Sequence, residues 1–272
     1  MIPSRLVRPT ATALLLLAWA FPLYWMVTAS LTPESQLFET PHIVPRALVF
    51  NHYQALFAER RFWMPIRNSL VVAAATTTLA VLVGTPCAYA MARLHFRGKT
   101  WLLAAVLAVS MLPQISIVSP LFLVLRVVGL IDTYPGLVVP YVTFALPLVV
   151  WLMIGFFRGL PSEIEDAARI DGAGRVRAAI EITLPLAAPA VATTAILTFL
   201  YAWNEFLFAL SFTVSPERQT VPVAIALFRG QYQIPWGEIL AGAVVASVPV
   251  IVVVVALQRR IVSGLTSGAV KG

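Results

Sequence analysis

Six long apolar segments constrain this chain more than any other feature of its sequence. A helix that crosses the hydrocarbon core of a membrane needs about 20 mostly apolar residues. The segments that meet this length are 10–31, 68–92, 101–125, 133–157, 186–212 and 239–258. Only the fifth carries an acidic or basic side chain, Glu205. The sequence therefore predicts an all-α integral membrane protein, with six transmembrane helices in a single domain over 1–272.

The overall composition supports a lipid environment. The chain is 60% hydrophobic and 11% charged, whereas a soluble domain usually carries about 25% charged residues. The first segment follows Arg5 and Arg8 and in that respect resembles a signal peptide. Its apolar run, however, is longer than the roughly 7–15 residues of a signal peptide. We therefore expect an uncleaved membrane anchor.

The charges of the loops predict the orientation of the helices. Basic residues concentrate in cytoplasmic loops of membrane proteins, and here they concentrate on the side that holds the N-terminus, most clearly in "RLHFRGK" at 93–99. We therefore expect both termini, the loop 158–185 and the tail 259–272 to be cytoplasmic. The tail sequence "SGLTSGAVKG" is too polar for the membrane and too rich in glycine for a stable helix, so it should depend on a partner for order.

A charged island, "PSEIEDAARIDGAGRVRAAIEITLP" at 161–185, lies between the fourth and fifth segments. The pattern predicts two short helices with a hinge. Ser162 and Glu165 fit a capping box, and Asp171-Gly172 predicts the end of the first helix, because glycine accepts the left-handed conformation found there. Its small residues and charges suit a docking element, and a solvated linker is the alternative that the physical pattern leaves open.

The order of residues in this island resembles the EAA loop of the membrane subunits of ATP-binding-cassette importers. The matching positions are Glu165-Asp166-Ala167-Ala168, Asp171-Gly172-Ala173, Ile182, Leu184-Pro185 and Pro189. The stretches "YAWNEFLFAL", "WGEILAGAVVASVP" and "GLTSGAVKG" are similar to the maltose-type sugar permeases of that family. The chain departs from the family pattern at Asp166, where a second glutamate is usual, and at Ala179, where a bulky aromatic residue is common.

The resemblance implies a type I importer fold and a permease subunit that imports sugar across a bacterial inner membrane. Its partners would be a second homologous permease subunit, a dimer of ATPases and an extracytoplasmic sugar-binding protein, with no role for nucleic acid. The loop 158–185 would then hold the coupling helix that docks on the ATPase. The residues implied in coupling are Glu163, Glu165, Asp166, Ala167, Ala168, Asp171, Gly172, Ala173, Leu184 and Pro185.

The sequence offers no pattern that favours an enzyme or a cofactor site. His42, His52 and His95 lack the spacing of a metal-binding helix, and "RGKT" at 97–100 lacks the upstream glycine of a phosphate-binding loop. We therefore expect no catalytic residue, metal or cofactor, and expect ATP to bind a partner subunit. The alternative function is an ion-gradient-driven transporter or a channel. Such proteins usually place ionisable residues near the membrane midplane and often show internal repeats, and neither feature is evident in this sequence.

Three neighbouring residues in the fifth segment are candidates for the substrate pathway. Trp203, Asn204 and Glu205 combine an aromatic face with groups that hydrogen-bond sugar hydroxyls. An acidic group near a membrane is costly and is often functional. The alternative is that Glu205 lies at the outer interface and contacts a loop or a partner. The loop 32–67 would contact the binding protein or lie among the lipid headgroups.

Overall fold

The structure is a computed structural model that describes residues 4–38, 44, 47–228 and 234–269. His42 and residues 270–272 lie outside the described residues. The chain divides into two compact units, one comprising Met1–Met64 with Ala224–Pro249 and the other Pro65–Val223 with Val250–Gly272. Within the described ranges the regular structure is helical and no strand occurs.

The helices are numbered in chain order. They are α1 Ser4–Ser30, α2 Asn51–Gln54, α3 Trp63–Arg93, α4 Lys99–Met111, α5 Gln114–Val127, α6 Tyr134–Gly159, α7 Glu163–Ile170, α8 Arg175–Ala178, α9 Leu184–Leu186, α10 Ala188–Trp203, α11 Leu207–Phe212, α12 Val221–Ala226 and α13 Trp236–Ala269. Single π-helical turns, Ala55–Glu59 and Ala179–Thr183, continue α2 and α8. The predicted loop 32–67 is therefore partly helical, because α2 lies inside it and α3 begins at Trp63.

Four described helices are long and apolar enough to cross a membrane without a break. They contain the stretches Thr12–Ser30, Trp63–Arg93, Tyr134–Gly159 and Trp236–Ala256. Two further pairs of helices meet the same test but are bent, Lys99–Met111 with Gln114–Val127 by 98° and Arg175–Leu186 with Ala188–Trp203 by 71°. The number of spans is six, as predicted, when each bent pair is counted as one span.

The third predicted span, 101–125, is not one continuous helix. Leu112 is extended, with φ −74° and ψ 128°, as expected for a residue that precedes proline. Pro113 separates α4 from α5. Pro86, Pro147 and Pro249 lie inside continuous helices instead, so only Pro113 of the four ends a helix.

The fifth and sixth predicted spans also need correction. Residues 186–212 do not form one helix, because α10 ends at Trp203 and α11 begins at Leu207. The tail after residue 258 is helical through Ala269, so the prediction that glycines prevent a helix there is wrong. A glycine costs a helix only about 1 kcal/mol, and extending an existing helix is far easier than starting one.

The core of the second unit brings α3, α6 and α10 together. Ala80 and Met91 from α3, Val149 and Met153 from α6, and Ala190 from α10 are all buried in one apolar cluster. α3 approaches α6 closely at Gly84, where an added Cβ atom would lie 2.6 Å from Cγ1 of Val149. The two helices therefore form a tightly packed pair.

Candidate coupling surface and cavity

The first helix of the charged island is α7, and its ends follow ordinary helix chemistry. Glu163, Glu165 and Asp166 lie in its first turn, where acidic groups complement the helix dipole. Gly172 has a φ of +88°, and the N–H of Ala173 donates to the carbonyl of Ala168 over 2.9 Å. The predicted end of α7 at Asp171-Gly172 is confirmed.

The predicted capping box at the start of α7 is wrong. Ser162 has helical backbone angles, φ −69° and ψ −26°, and its side chain makes no capping hydrogen bond. The Glu165 side chain contacts distant residues instead of the backbone N–H of Ser162. The sequence shows only that Ser162 and Glu165 have the spacing of a cap. In the folded chain the Glu165 carboxylate contacts residues that are distant along the chain instead.

Glu165 contacts three side chains of its own chain. Its Oε1 atom lies 3.1 Å from Nε of Arg93 and accepts a 3.0 Å hydrogen bond from the Thr183 hydroxyl. Its Oε2 atom accepts a 3.2 Å hydrogen bond from the hydroxyl of Tyr89. Arg93 in turn donates through Nη2 to the carbonyl of Leu160 over 2.8 Å. The side chains of Glu165 and Arg93 are only 17% and 13% exposed, so Glu165 faces inward.

The opposite side of α7 is exposed, as are two apolar residues of the segment after it, and we call these exposed residues the docking face. Its members are Glu163, Asp166, Ala167, Ile170, Val176 and Ile180. Ile170 is 87% exposed, Val176 73% and Ile180 60%. Asp166 makes a 3.3 Å ion pair with Arg169 that is itself exposed. Apolar side chains left bare beside charged ones are typical of a protein interaction site.

The other residues predicted for coupling divide between surface and interior. Asp171, Gly172, Leu184 and Pro185 are exposed, Ala173 is half-buried and Ala168 is buried. Ala168 follows Glu165 by three residues, so both lie on the inward face of α7. The five predicted residues that lie within α7 are therefore divided between its two opposite faces, while the other five lie after it.

An open cavity of about 620 Å³ lies in the second unit. Its lining residues are Gln114, Leu148, Leu197, Leu200, Tyr201, Asn204, Glu205, Phe206 and Leu207. Gln114 donates through Nε2 to the hydroxyl of Tyr201 over 3.0 Å. Neither was singled out from the sequence, and the only available signal was that both are polar residues within apolar segments. The volume lies within the range of about 300–1,000 Å³ found for ligand pockets.

Of the three residues predicted for the substrate pathway, two line this cavity. Trp203 is buried and stacks on Phe199, with ring centroids 5.8 Å apart. Asn204 lines the cavity and donates to the carbonyl of Leu200 over 2.8 Å. Glu205 is 7% exposed and accepts hydrogen bonds from the backbone N–H groups of Phe208, at 2.9 Å, and Ala209, at 3.1 Å. It therefore caps the start of α11.

The side chains of Asp132 and Asn68 hold the loop that follows α11, and we call this pair the polar clasp. Asp132 accepts hydrogen bonds at Oδ1 from the backbone N–H groups of Val214 and Ser215, over 2.9 and 3.1 Å. Burial alone would raise the pKa of Asp132, but the hydrogen bonds from Ser215 and Val214, together with the charge of Arg218, hold its pKa below the ordinary value. The same loop is bound by the buried side chain of Asn68.

Asn68 reaches this loop from α3. Its Nδ2 atom donates to the carbonyls of Glu217 and Gln219 over 2.8 and 2.9 Å, and its Oδ1 atom accepts from the Tyr134 hydroxyl over 2.7 Å. All of these residues lie in the second unit. The clasp therefore holds the loop after α11 against the beginnings of α3 and α6.

The first unit has its own polar anchors. Glu34 accepts hydrogen bonds from the backbone N–H groups of Trp236 and Gly237, both over 2.9 Å, which satisfies free donors at the start of α13. Arg60 and Glu238 form a 2.9 Å ion pair. Nε2 of His52 lies 3.0 Å from the carbonyl of Thr32, so this histidine takes part in local packing.

Comparisons with known proteins agree on one family. The sequence model of the family described as "binding-protein-dependent transport system inner membrane component" matches residues 80–267 of this chain. A trehalose transport system permease protein of Mycobacterium tuberculosis is 46% identical over 92% of both chains. A trehalose/maltose transport system permease protein of Thermococcus litoralis is 37% identical over 99% of this chain and 98% of its own length. The solved structure of a bacterial transporter that imports the acidic polysaccharide alginate has the same fold, with a TM-score of 0.76 at 21% identity over 93% of this chain and 95% of that one.

Proposed function

This chain belongs to the family of binding-protein-dependent transport system inner membrane components, and from that premise we propose that α7 couples sugar passage to ATP hydrolysis on a separate subunit. The chain is the membrane permease subunit of an ATP-binding-cassette sugar importer. The observation that carries the proposal is the docking face, in which the apolar side chains of Ile170 and Val176 are largely exposed and Asp166 is an exposed charge. A surface of this kind needs a partner to cover it.

The proposed assembly contains two permease subunits, two ATPase subunits and an external sugar-binding protein. ATP binds to the ATPases, and this chain carries out no chemistry of its own. Closure of the ATPases displaces α7, the membrane helices change from an inward-facing to an outward-facing arrangement, and sugar passes from the binding protein into the pathway. The cavity beside Asn204 contributes this subunit's half of that pathway.

The proposed orientation places α7 and both termini in the cytoplasm, on the evidence of the basic loop at 93–99. Single cysteines at Ser162 and Ser215, introduced after Cys87→Ala, would test it with a membrane-impermeant maleimide. Ser162 precedes α7 and Ser215 lies in the loop after α11. We expect only the cysteine at 215 to react in intact cells, and reaction of both would refute the orientation.

We also propose that the tail of α13 contacts the ATPases. The helix continues to Ala269, beyond the apolar run, which gives way to Gln258, Arg259 and Arg260, so we expect it to extend past the membrane. Deletion of residues 265–272 should lower transport while membrane insertion stays normal. Unchanged transport and ATPase rates in this deletion would contradict the contact.

The proposed substrate is a neutral disaccharide of the trehalose type. One relative over most of the chain length is named a trehalose permease and another a trehalose/maltose permease. The cavity combines leucines with the hydrogen-bonding side chains of Gln114, Tyr201 and Asn204, and no basic residue is among its described lining residues. A site without a cation suits a neutral sugar better than an acidic one.

Uptake by reconstituted vesicles would test the substrate. We expect accumulation of labelled trehalose that an excess of unlabelled trehalose inhibits and that alginate oligosaccharides do not. Asn204→Leu should raise the KM for trehalose, whereas Leu210→Ala, at a position outside the cavity, should leave it unchanged. Uptake that alginate oligosaccharides inhibit and trehalose does not would refute the assignment.

The coupling role has a direct test on the docking face. Asp166→Lys should weaken association with the ATPase by about tenfold or more, equivalent to 1.4 kcal/mol, since it reverses a charge in the first turn of α7. Glu217→Lys makes the same charge change on an exposed residue of the loop after α11 and should leave ATPase association intact. Co-purification of the ATPase with each variant is the measurement, and equal retention by both would overturn the proposal.

A further inference from the structure

We infer that Glu165 is a positioning residue that ties α7 to α3, so that a displacement of α7 moves the helices of the membrane core. The inference rests on the proposed docking of α7 and goes beyond it by separating two neighbouring acids. Asp166 belongs to the docking face, whereas Glu165 points away from it. On this view Glu165 contributes nothing to ATPase binding and connects that binding to the transmembrane helices.

The contacts of Glu165 all lead into its own chain. Tyr89 and Arg93 belong to the last part of α3, and their contacts with the Glu165 carboxylate are 3.2 and 3.1 Å long. Thr183, in the π-helical turn after α8, adds a third contact at 3.0 Å. Each carboxylate oxygen therefore accepts a hydrogen bond from a hydroxyl, while Arg93 supplies the opposite charge at a distance of 3.1 Å without a hydrogen bond from Nε.

The α3 end of this connection is anchored in the core. The ring of Tyr89 meets that of Phe157 of α6 edge-on, with centroids 5.6 Å apart, and Gly84 allows α3 to lie directly against Val149. Closely packed helices transmit displacement, because a packed interior has little free volume to absorb it. A movement of Glu165 therefore reaches α3 and α6 together.

An exposed ion pair on the surface would not transmit a displacement of α7 to α3. Arg169–Asp166 and Arg177–Glu181 are comparable in length, 3.3 and 2.9 Å, but their side chains are 52–68% exposed. Exposed pairs contribute little, since water screens them and both side chains stay free to move. The pair between Glu165 and Arg93 differs in being mostly buried and in having hydroxyl donors on the same carboxylate.

The experiment uses the whole importer with cysteine-free partner subunits and the native Cys87 as the probe. Cys87 is the only cysteine in the sequence and is partly buried in α3, two residues before Tyr89. Its rate of reaction with a small maleimide should differ between the nucleotide-free importer and the importer bound to a non-hydrolysable ATP analogue. That difference reports movement of α3 without requiring a sugar.

The variants are Glu165→Gln and Tyr89→Phe, with Glu181→Gln as the control. Glu165→Gln keeps the size of the side chain but removes its charge, and Tyr89→Phe keeps the packing on Phe157 but removes the hydroxyl. Both should retain wild-type association with the ATPase. Glu165→Gln should lose the nucleotide-dependent change in Cys87 labelling, whereas Tyr89→Phe, which leaves Arg93 and Thr183 on the carboxylate, should reduce that change. ATP consumed per trehalose transported should rise about fivefold or more, the lower end of coupling factors between linked sites. Glu181→Gln should change neither quantity.

The outcomes separate the inference from the proposal on which it rests. Loss of ATPase association in Glu165→Gln would make Glu165 a docking residue and overturn the inference, while α7 remained the coupling element. Wild-type labelling changes and stoichiometry in both variants would overturn it as well. The docking proposal itself fails by a different result, which is that Asp166→Lys associates with the ATPase as strongly as the wild type does. If Glu165→Gln does not assemble, Tyr89→Phe decides the inference, since a reduced labelling change supports it and a wild-type change overturns it.

Discussion

Replacement of Gly172 by alanine should weaken the end of α7 for a reason that is purely conformational. Gly172 has a φ of +88°, and a Cβ atom built there meets nothing within 4 Å. No clash therefore contributes, and the cost is that of holding an L-residue in the left-handed region, about 1–2 kcal/mol. Alanine in place of glycine also restricts the unfolded chain, which offsets about 0.4–1 kcal/mol of this.

The net cost is about 1 kcal/mol, obtained by subtracting the second effect from the first. It acts on the terminal hydrogen bonds of α7, in which the N–H of Gly172 donates to Arg169 and that of Ala173 donates to Ala168. The fraction of α7 with an open end should rise about fivefold, since 1.4 kcal/mol corresponds to a factor of ten. Gly172→Asn should cost less than Gly172→Ala, because asparagine tolerates the left-handed conformation.

Hydrogen–deuterium exchange of the segment 167–174 would measure this change in the purified permease. Gly174 provides the matched control, since it is also open to solvent but has an ordinary φ of −67°. Gly174→Ala should leave exchange unchanged or slow it, while Gly172→Ala should accelerate it. Equal exchange in the two alanine variants would refute the conformational argument.

Three further predictions concern the core and the polar clasp. Gly84→Val should lower the free energy of unfolding in detergent by about 1–3 kcal/mol through overpacking, since the new Cβ atom lies 2.6 Å from Val149. The control Gly155→Ala, whose Cβ atom meets nothing within 4 Å, should change thermal stability little. Asn68→Ala should cost about 1–3 kcal/mol, because it removes three hydrogen bonds of a fully buried side chain, and a melting temperature equal to that of the wild type would contradict this. The pKa of Asp132 is lowered in the folded protein, so its carboxylate stabilises the fold above the ordinary aspartate pKa of about 3.9. This stabilisation is lost as the pH falls through the folded-state pKa. A pH titration of thermal stability should show the loss in the wild type and not in Asp132→Asn.

The helical class, the apolar segments and the end of α7 could be predicted because each depends on nearby residues. A run of about 20 apolar residues is sufficient to predict a membrane helix, and Gly172 after Asp171 is sufficient to end a short one. The break at Pro113 could not be predicted, because a proline inside an apolar run leads either to a kink or to a break. Neighbouring helices decide between these two results, and the sequence does not show which helices those are.

The candidate sites were predicted less completely than the spans. Asn204 and Glu205 do line the cavity. Gln114, however, lies at the start of α5, whereas Tyr201 lies in α10, and only the folded chain brings their side chains to within 3.0 Å of each other. Glu205 illustrates a second difficulty. An acid in an apolar segment suggests a ligand site, yet its oxygens accept hydrogen bonds from the backbone of Phe208 and Ala209.

The sequence by itself determined that this chain enters a membrane, that a charged helix interrupts its apolar segments, and that this helix belongs to a family motif. Those properties depend on local hydrophobicity and on the order of residues along the chain. Only the tertiary structure decided which acid of the motif faces outward and which faces the core. Adjacent residues on a helix point about 100° apart, so Glu165 and Asp166 are equivalent candidates until the helix is oriented. The partner that orients it, Tyr89, lies 76 residues away along the chain, and no local pattern reports a contact over that distance.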